Sequence, residues 1–521
     1  MNRAWIATFG LLLACSTAKT ATEQGDAGNA TVADAASDGS ALSDSEVVGD
    51  VAQVGTQFPI CDPAAKTQRV SFVHTNDLHA SYEPGPDGIS PIARIIGFLK
   101  DSRKANPYTV FTDGGDIYEK GSVAELISKG QSTREIIRAM QFDVRVIGNH
   151  DYAWSQAEVL ANSQDPHAIV LSSNMEYIGD DPSQFKAVPY TVLQVGCVKV
   201  GFFGLTSSPW DSTDSSISGP FYPEFPASYD FFGIASDMVA KHRSEVDLLI
   251  AVNHIGIELD RTLVAATPGL DAVLSGHSHT FTEVPSDDGI SAPVVQSGAF
   301  CAHVVRLDLD VDLQSRQVTH VGFETAGLSV GSTLTVDDAI NKTVTDIVRK
   351  YAPNWDKASG TLKGAVGQVD AAKLAAKAEI AVLGTDAALV DVHTTWAQWS
   401  PGPLTQQDEA NMFKVEREPA GSPGFNAAYT AKILGSELQK LNQVDPANWA
   451  LIVPTTIDPA KTYTIGMQKR TALNPAQVPF KAQVSAPQAE MEMWEVLDKF
   501  AQARTKACHY VDSDDKLAVC P

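Results

Sequence analysis

Five short clusters of polar residues follow apolar, strand-like runs in this sequence. They are HTNDLHA at His74 to Ala80, DGGD at Asp113 to Asp116, GNHD within VRVIGNHDYAW at Val144 to Trp154, NHIG at Asn253 to Gly256 and SGHSHT at Ser275 to Thr280. A mostly β-branched apolar run that stops at glycine predicts a buried strand. Because α/β sheets place ligands at strand ends, we expect the five loops to converge on one site.

Seven side chains in these loops carry metal-binding atoms, namely Asp77, His79, Asp116, Asn149, His254, His277 and His279. Nitrogen and oxygen donors without thiolate suit Zn, Mn, Fe, Co or Ni, and the sequence does not choose among them. Seven such groups fit two divalent ions about 3.5–4 Å apart, which stabilise the attacking and leaving oxygens of a displacement at phosphorus. One carboxylate should bridge the ions. A single cluster is more often a structural turn, but all five together favour a catalytic site.

The elements that position these loops alternate between strands and helices. Predicted strands are Val70–Val73, Tyr108–Thr112, the run before Gly148, Val198–Leu205, Leu248–Val252, Ala272–Leu274, Val294–Gln296 and Val304–Val311. Predicted helices cover Ile92–Lys100 and Thr133–Met140, where apolar residues recur at helical spacing. This order predicts a layered α/β domain with a central sheet. Strand pairs without an intervening helix predict mixed rather than purely parallel sheets.

The sequence pattern changes near residue 330. Ile340, Val344, Ile347 and Val348 fit one face of a helix. We therefore predict a catalytic domain over 61–329, a linker helix within 330–360 and a smaller α+β domain over 361–521. In that last domain Asn426–Leu441 and Ala489–Ala503 look helical, and strands are fewer and less distinct.

Length and charge limit the possible partners. A chain of 521 residues exceeds the size of one hydrophobic core, which favours two domains. The net charge of −24 argues against a nucleic-acid or anionic-membrane surface. Bound cations can still create a positive pocket for a small anion. We expect a small phosphorylated substrate, no nucleic-acid polymer and a monomer.

The first fifteen residues, MNRAWIATFGLLLAC, combine an arginine with a short apolar run, as secretory signals do. The LLAC ending resembles a bacterial lipobox, so we expect a lipid anchor on Cys15 as the chain's membrane contact; a plain signal peptide is the alternative. Ser16 after it resembles outer-membrane lipoproteins. Residues 16–60 read as a disordered acidic linker. The expected location is periplasmic or at the cell surface.

The six cysteines show no CxxC spacing, which argues against a thiolate metal site. In an exported protein some should pair, and Cys508 with Cys520 is our predicted bridge. A lipidated Cys15 would leave an odd number, so at least one buried free thiol is expected.

The order DLH, GGD, GNHD, NH and GHSH resembles the calcineurin-like metallophosphoesterases, in particular the 5′-nucleotidase and UDP-sugar hydrolase branch. The runs DGGDIYEKGS, PGLDAVLSGHSH and PVVQSGAF carry the likeness, which extends roughly from Arg69 to Val311 and more weakly beyond. The resemblance implies a layered metallophosphoesterase sandwich with mixed central sheets, followed by a smaller α+β domain of 5′-nucleotidase type.

The resemblance also implies roles for individual residues. Asp77, His79, Asp116 and His279 would hold one ion, and Asp116, Asn149, His254 and His277 the other, so that Asp116 bridges. Many relatives have glutamine where this chain has His279. His150 resembles the histidine that contacts the phosphoryl oxygens and stabilises the charge developing in the transition state. Water would be the nucleophile, without a covalent enzyme intermediate.

Two regions depart from the family pattern. Relatives carry an aspartate that orients the catalytic histidine where this chain has Ala153, and Asp151 occupies the position of a glutamate. In the C-terminal domain Asp391 stands where asparagine is usual and Trp396 where an arginine grips the phosphate. We name Asp391, Trp396 and Phe425 as candidate substrate contacts, although aromatic residues at such spacing are more often core.

The sequence thus predicts an exported, two-metal phosphoric ester hydrolase acting on a 5′-nucleotide or related nucleotide, with His150, Asn149 and Asp116 at the reacting centre. Two alternatives remain open. One is a phosphatase or phosphodiesterase for a non-nucleotide or cyclic substrate. The other is a binding protein with weakened catalysis.

Overall fold

The structure is a computed structural model and describes residues 57–119, 121–207, 222–284, 292–413, 427–474, 476 and 478–520. The predicted signal peptide, Cys15 and most of the predicted linker lie outside the described residues, as does Phe425. No helix in the described ranges is long and apolar enough to cross a bilayer.

The first domain is built from strands and helices in alternation. Its strands are β1 (Thr67–Thr75), β2 (Thr109–Asp113), β3 (Val144–Val146), β4 (Ile169–Leu171), β5 (Tyr190–Val195), β6 (Val198–Phe203), β7 (Leu248–Val252), β8 (Ala272–Leu274), β9 (Phe281–Val284), β10 (Val294–Ser297), β11 (His303–Asp312) and β12 (Gln317–Gly327). Its helices are α1 (Pro91–Ala105), α2 (Val123–Ser128), α3 (Gln131–Met140), α4 (Gln156–Ser163), α5 (Phe231–His242) and α6 (Ile257–Ala266). The predicted strands and helices of this domain are confirmed to within a few residues.

Two six-stranded mixed sheets form the centre of the first domain. One has the order β12-β11-β1-β2-β3-β4 and the other β5-β6-β7-β8-β10-β9. Val, Ile, Leu and Phe side chains of both sheets form a fully buried cluster, in which the rings of Phe72 and Phe202 meet edge to face. Strands with two buried faces read as continuous apolar runs, which explains why the sequence predicted them well.

Parallel pairing brings the five polar loops to one side of the domain. β1, β2 and β3 are parallel neighbours, and so are β7 and β8. Their carboxyl ends therefore lie at the same edge of each sheet. His74, the first residue of the HTNDLHA cluster, joins the two sheets there, with Nδ1 3.0 Å from Thr112 Oγ1 and Nε2 3.0 Å from Ser275 O.

The rest of the chain forms the C-terminal elements. They are α7 (Asp338–Tyr351), β13 (Ala358–Leu362), α8 (Gln368–Leu383), β14 (Ala387–Asp391), β15 (Gly402–Thr405), α9 (Gln406–Met412), β16 (Ala427–Leu434), α10 (Gly435–Leu441), β17 (Trp449–Ile452), β18 (Thr462–Gln468), α11 (Lys469–Leu473), β19 (Val484–Glu492) and α12 (Met493–Lys506). α7 lies within the predicted linker and packs Val344 and Val348 into the first domain's core. The boundaries at 329 and 361 stay predictions.

Two expectations for the C-terminal domain were wrong. The stretch predicted as a helix over Asn426–Leu441 contains strand β16 before helix α10 begins at Gly435. Likewise, the start of the predicted helix Ala489–Ala503 belongs to β19. The described C-terminal residues do contain fewer strands, seven against twelve, and five of them form one sheet in the order β17-β14-β18-β16-β19. Pairing of β16 with both β18 and β19 outweighs the helix propensity of its alanines.

The cysteines follow the sequence expectation in two respects. Cys508 and Cys520 form the predicted disulfide, and Cys301 is a buried free thiol. A second disulfide joins Cys61 to Cys197 across 136 residues, a pairing that spacing alone does not reveal.

Candidate metal centre

The first group of candidate ligands is Asp77, His79, Asp116 and His279, whose donor atoms all lie within 4.8 Å of one another. His79 Nε2 is 2.9 Å from His279 Nε2, and His279 Nε2 is 3.3 Å from Asp77 Oδ1. Asp116 Oδ2 is 3.9 Å from His79 Nε2. Two imidazole nitrogens and two carboxylates thus point at a common position.

The second group is Asp116, His254 and His277, again with donor atoms within 4.8 Å of one another. Asn149 Oδ1 lies 3.0 Å from both His254 Nε2 and His277 Nδ1. His254 Nε2 is also 3.0 Å from Asp116 Oδ2. Asp116 therefore belongs to both groups, as a bridging carboxylate would.

The donor chemistry fits a pair of divalent cations. In each group nitrogen and oxygen lone pairs face one another, and Asn149 Nδ2 is buried without a hydrogen-bond partner in the described part of the chain. A divalent cation between the Asn149 oxygen and the two imidazoles would suit these donor atoms. With no thiolate in either group, Zn, Mn, Fe and Co are all compatible.

Backbone carbonyls hold the imidazoles in orientation. His254 Nδ1 lies 2.6 Å from Gly114 O, and His79 Nδ1 contacts the carbonyls of Tyr118, at 3.1 Å, and Glu119. A carbonyl can only accept, so each Nδ1 carries a hydrogen, and Nε2 is the ring nitrogen left to face the centre.

The ligand loops carry unusual backbone conformations. Five of the seven predicted ligands have positive φ, namely Asp77 (50°), His79 (46°), Asp116 (56°), His277 (84°) and His279 (57°). Such conformations are unfavourable for side-chain-bearing residues and concentrate where function requires them. Gly148 permits the close approach of two loops, since a Cβ there would overlap the Asp116 amide nitrogen.

Burial and neighbouring charges shift the pKa values of the candidate ligands in different directions. Burial opposes ionisation of Asp116, but the neighbouring imidazoles outweigh it and hold the pKa of that carboxyl well below its usual range. Burial also opposes protonation of His254, yet the adjacent Asp116 raises its pKa to about 10. For His79 burial dominates and lowers the pKa to about 4. Before any cation binds, the His254 and Asp116 pair already neutralises part of the buried charge.

His150 lies beside the first group on the single 3-10 turn His150–Tyr152 that follows β3. Its amide nitrogen donates to Asp116 Oδ1 at 2.6 Å, and its side chain is 28% exposed. Nε2 is 3.9 Å from Asp116 Oδ2, and the ring meets His79 edge to face. The imidazole is therefore open to solvent next to the candidate metals.

Two residues at the centre are not marked by the sequence motifs. Glu119 Oε2 lies 2.9 Å from His150 Nδ1. Phe300, 44% exposed, stacks on His79 and meets His279 edge to face. Both lie in sequence runs that carry the family resemblance, DGGDIYEKGS and PVVQSGAF. Neither residue type nor spacing indicates their position beside the candidate ligands.

The C-terminal residues named from sequence are less clearly placed for binding. Asp391 Oδ1 accepts from the His393 amide at 2.9 Å and caps the short turn after β14. Trp396 is 59% exposed. Their role in substrate binding stays a prediction.

Comparison with known proteins agrees with this geometry. Residues 70–281 match the sequence model of the calcineurin-like phosphoesterases. The matched range contains all seven candidate ligands. Among similar proteins, the 5′-nucleotidases of Bos taurus and Homo sapiens are each 28% identical over 299 residues, which cover 50% of this chain and 50% of theirs. The chain thus spans about half the length of the curated relatives it matches.

Solved structures extend the likeness of fold over more of this chain. A 5′-nucleotidase precursor from Thermus thermophilus has a TM-score of 0.62 at 18% identity, covering 84% of this chain and 96% of that chain. The sulfate thiohydrolase SoxB from a Thermus species gives 0.59 at 14% identity, covering 86% and 95%. At these identities the match shows the shared fold, including the C-terminal domain.

Proposed function

We propose that this protein hydrolyses a phosphate ester of a small molecule, a 5′-nucleotide or related nucleotide, with two divalent cations and outside the cytoplasm. The observation that carries the proposal is the convergence of seven ligand-type side chains, with Asp116 shared between both groups and His150 open to solvent beside them. Similarity to curated 5′-nucleotidases supports the nucleotide as substrate.

Each residue has a defined part in the proposed reaction. Asp77, His79, Asp116 and His279 would hold one cation, and Asp116, Asn149, His254 and His277 the other. Cations at such a pair polarise the phosphoryl group and lower the pKa of water. His150 donates a hydrogen bond from Nε2 to a phosphoryl oxygen as negative charge grows there, which stabilises the transition state.

Export is part of the proposal. The disulfides Cys61–Cys197 and Cys508–Cys520 are compatible with an oxidising compartment. The signal-like start and the lipid anchor on Cys15 remain proposals from sequence alone. Globomycin sensitivity of membrane attachment, together with its loss in Cys15→Ala, would test the anchor.

A substrate panel tests the activity. Purified protein supplied with Mn or Zn is assayed against AMP, UDP-glucose, cyclic nucleotides and p-nitrophenyl phosphate. We expect turnover of AMP or UDP-glucose that chelation abolishes. Turnover restricted to cyclic nucleotides or aryl phosphate would mean that the substrate is another phosphate ester and not a 5′-nucleotide. No turnover with metal bound would mean that the protein binds its ligand without hydrolysing it.

A further inference from the structure

The His150 ring has a carboxylate partner that comes from another loop. Glu119 Oε2 lies 2.9 Å from His150 Nδ1, and the Glu119 side chain is fully buried whereas His150 is 28% exposed. A carboxylate oxygen at this distance is placed to accept the hydrogen on Nδ1. That leaves Nε2 on the open side, towards the position a phosphoryl group would occupy.

His150's own loop does not supply such a partner. Position 153 carries only the buried methyl of Ala153. The carboxylate of Asp151 accepts instead from backbone amides, from Ile117 at 2.9 Å and Gly148 at 2.7 Å. Asp151 therefore ties its loop to the DGGD loop and does not act on the imidazole.

Glu119 is held in place at a cost to the fold. Its φ of 56° is left-handed, which is unfavourable for a residue with a side chain. Burying a carboxylate is also unfavourable unless it is paired. The Glu119 amide donates to Glu125 Oε1 at 2.8 Å, and the same oxygen accepts from Trp154 Nε1 at 3.0 Å. These hydrogen bonds hold Glu119 in its strained, buried position, which indicates a function beyond folding.

The C-terminal domain supports the same loop. Gln407 on α9 donates from Nε2 to Gly121 O at 2.5 Å and accepts at Oε1 from the Val123 amide at 3.0 Å. These bonds fix the chain just after Glu119. The position of the carboxylate is therefore determined from both domains.

We propose that Glu119 is the positioning residue for His150: its carboxylate accepts the hydrogen on Nδ1 and so fixes the ring with Nε2 towards the phosphoryl group. The inference rests on the proposed hydrolysis for its kinetic part only. Because Glu119 is not a member of either candidate ligand group, removing its side chain should lower the rate without removing metal.

Kinetics of Glu119→Gly test the role. Glycine accepts a positive φ, so this variant should fold at least as well as the parent. We expect kcat to fall about 10–100-fold with KM and metal content unchanged, the usual effect of losing a residue that supports a catalytic group. Glu119→Asp should recover part of the rate and Glu119→Gln little. Glu158→Gln, a change at a neighbouring carboxylate that bonds Tyr118 and Arg134, should leave kcat unaltered.

A double-mutant cycle with His150→Ala separates positioning from a general structural effect. If Glu119 acts through His150, Glu119→Gly should cause no further loss in the His150→Ala background. An equal loss in both backgrounds, or an unchanged kcat in the single variant, would overturn the proposal.

A spectroscopic measurement keeps the inference independent of turnover. In ¹⁵N-histidine-labelled, zinc-loaded protein, the resonances that disappear in His150→Ala should show a hydrogen on Nδ1, and in Glu119→Gly the hydrogen should lie on Nε2 alone. The same tautomer in both proteins would contradict the proposal. If the parent hydrolyses nothing, the proposed function fails, and this spectrum alone decides the role of Glu119.

Discussion

The ligand loops of the first domain and the region around Trp396 both follow buried strands, but they use their polar residues differently. After β1, β2 and β7, Asp77, Asp116 and His254 are buried and face other donor atoms. After β14, Asp391 caps its own turn, and Trp396 is 59% exposed. Metal-assisted chemistry requires donor atoms that are held in fixed positions. An exposed aromatic surface, by contrast, can differ between proteins of one fold that act on different substrates.

The largest effect should come from the carboxylate that both groups share. Asp116→Ala removes an oxygen from each candidate metal site, so we expect loss of both cations and a fall in kcat/KM of at least about 10³-fold. Metal analysis after gel filtration, with activity on the same sample, measures both. Retention of two cations per chain would contradict the assignment of Asp116 as the carboxylate shared by both metal sites.

His150→Ala should separate chemistry from metal binding. The imidazole is not a member of either ligand group, so the cation content should stay at the parent's level. Loss of one donor to the transition state lowers kcat about 10²–10³-fold. Parent-level kcat for the favoured substrate would remove His150 from the mechanism.

On the C-terminal side, Trp396→Ala should change substrate affinity and leave the chemistry intact. Stacking of a base on an aromatic ring is worth about 1–3 kcal/mol, so KM for AMP should rise roughly tenfold. Ribose 5-phosphate, which lacks a base, should be unaffected. Phe480→Ala, at another exposed aromatic of this domain, is the matched control. Equal effects of both variants would refute a specific role for Trp396.

The smallest effect concerns the stability of the C-terminal domain. Glu379 is fully buried, its carboxylate oxygens have no hydrogen-bond partner among the described residues, and burial raises its pKa well above the usual 4.5. Because the folded-state pKa is raised, the contribution of Glu379 to the free energy of unfolding is complete below about pH 4.5. This contribution is lost as the pH rises towards the folded-state pKa.

Glu379→Met should therefore raise the free energy of unfolding at pH 8 by about 1–2 kcal/mol, without changing kcat. The gain should shrink towards pH 4.5. Urea unfolding of parent and variant across this range measures it. A gain that does not depend on pH would mean that ionisation of Glu379 is not its cause.

The same contrast explains what the sequence could predict. Buried parallel strands followed closely by Gly114 or Gly148 give a clear local pattern, so the seven candidate ligands that the fold brings together could be named in advance. β16 could not, because Ala427–Leu434 becomes a strand only through pairing with β18 and β19. Glu119 was missed for a related reason: its partner His150 is 31 residues away and meets it only in the fold.

A titration of activity against cation content tests the central claim most directly. Chelated protein receives Mn or Zn in increments while the initial rate on AMP or p-nitrophenyl phosphate is followed. The account predicts no rate without metal and saturation at two equivalents per chain. Saturation at one equivalent, or a rate that survives chelation, would contradict a two-cation centre built on Asp116.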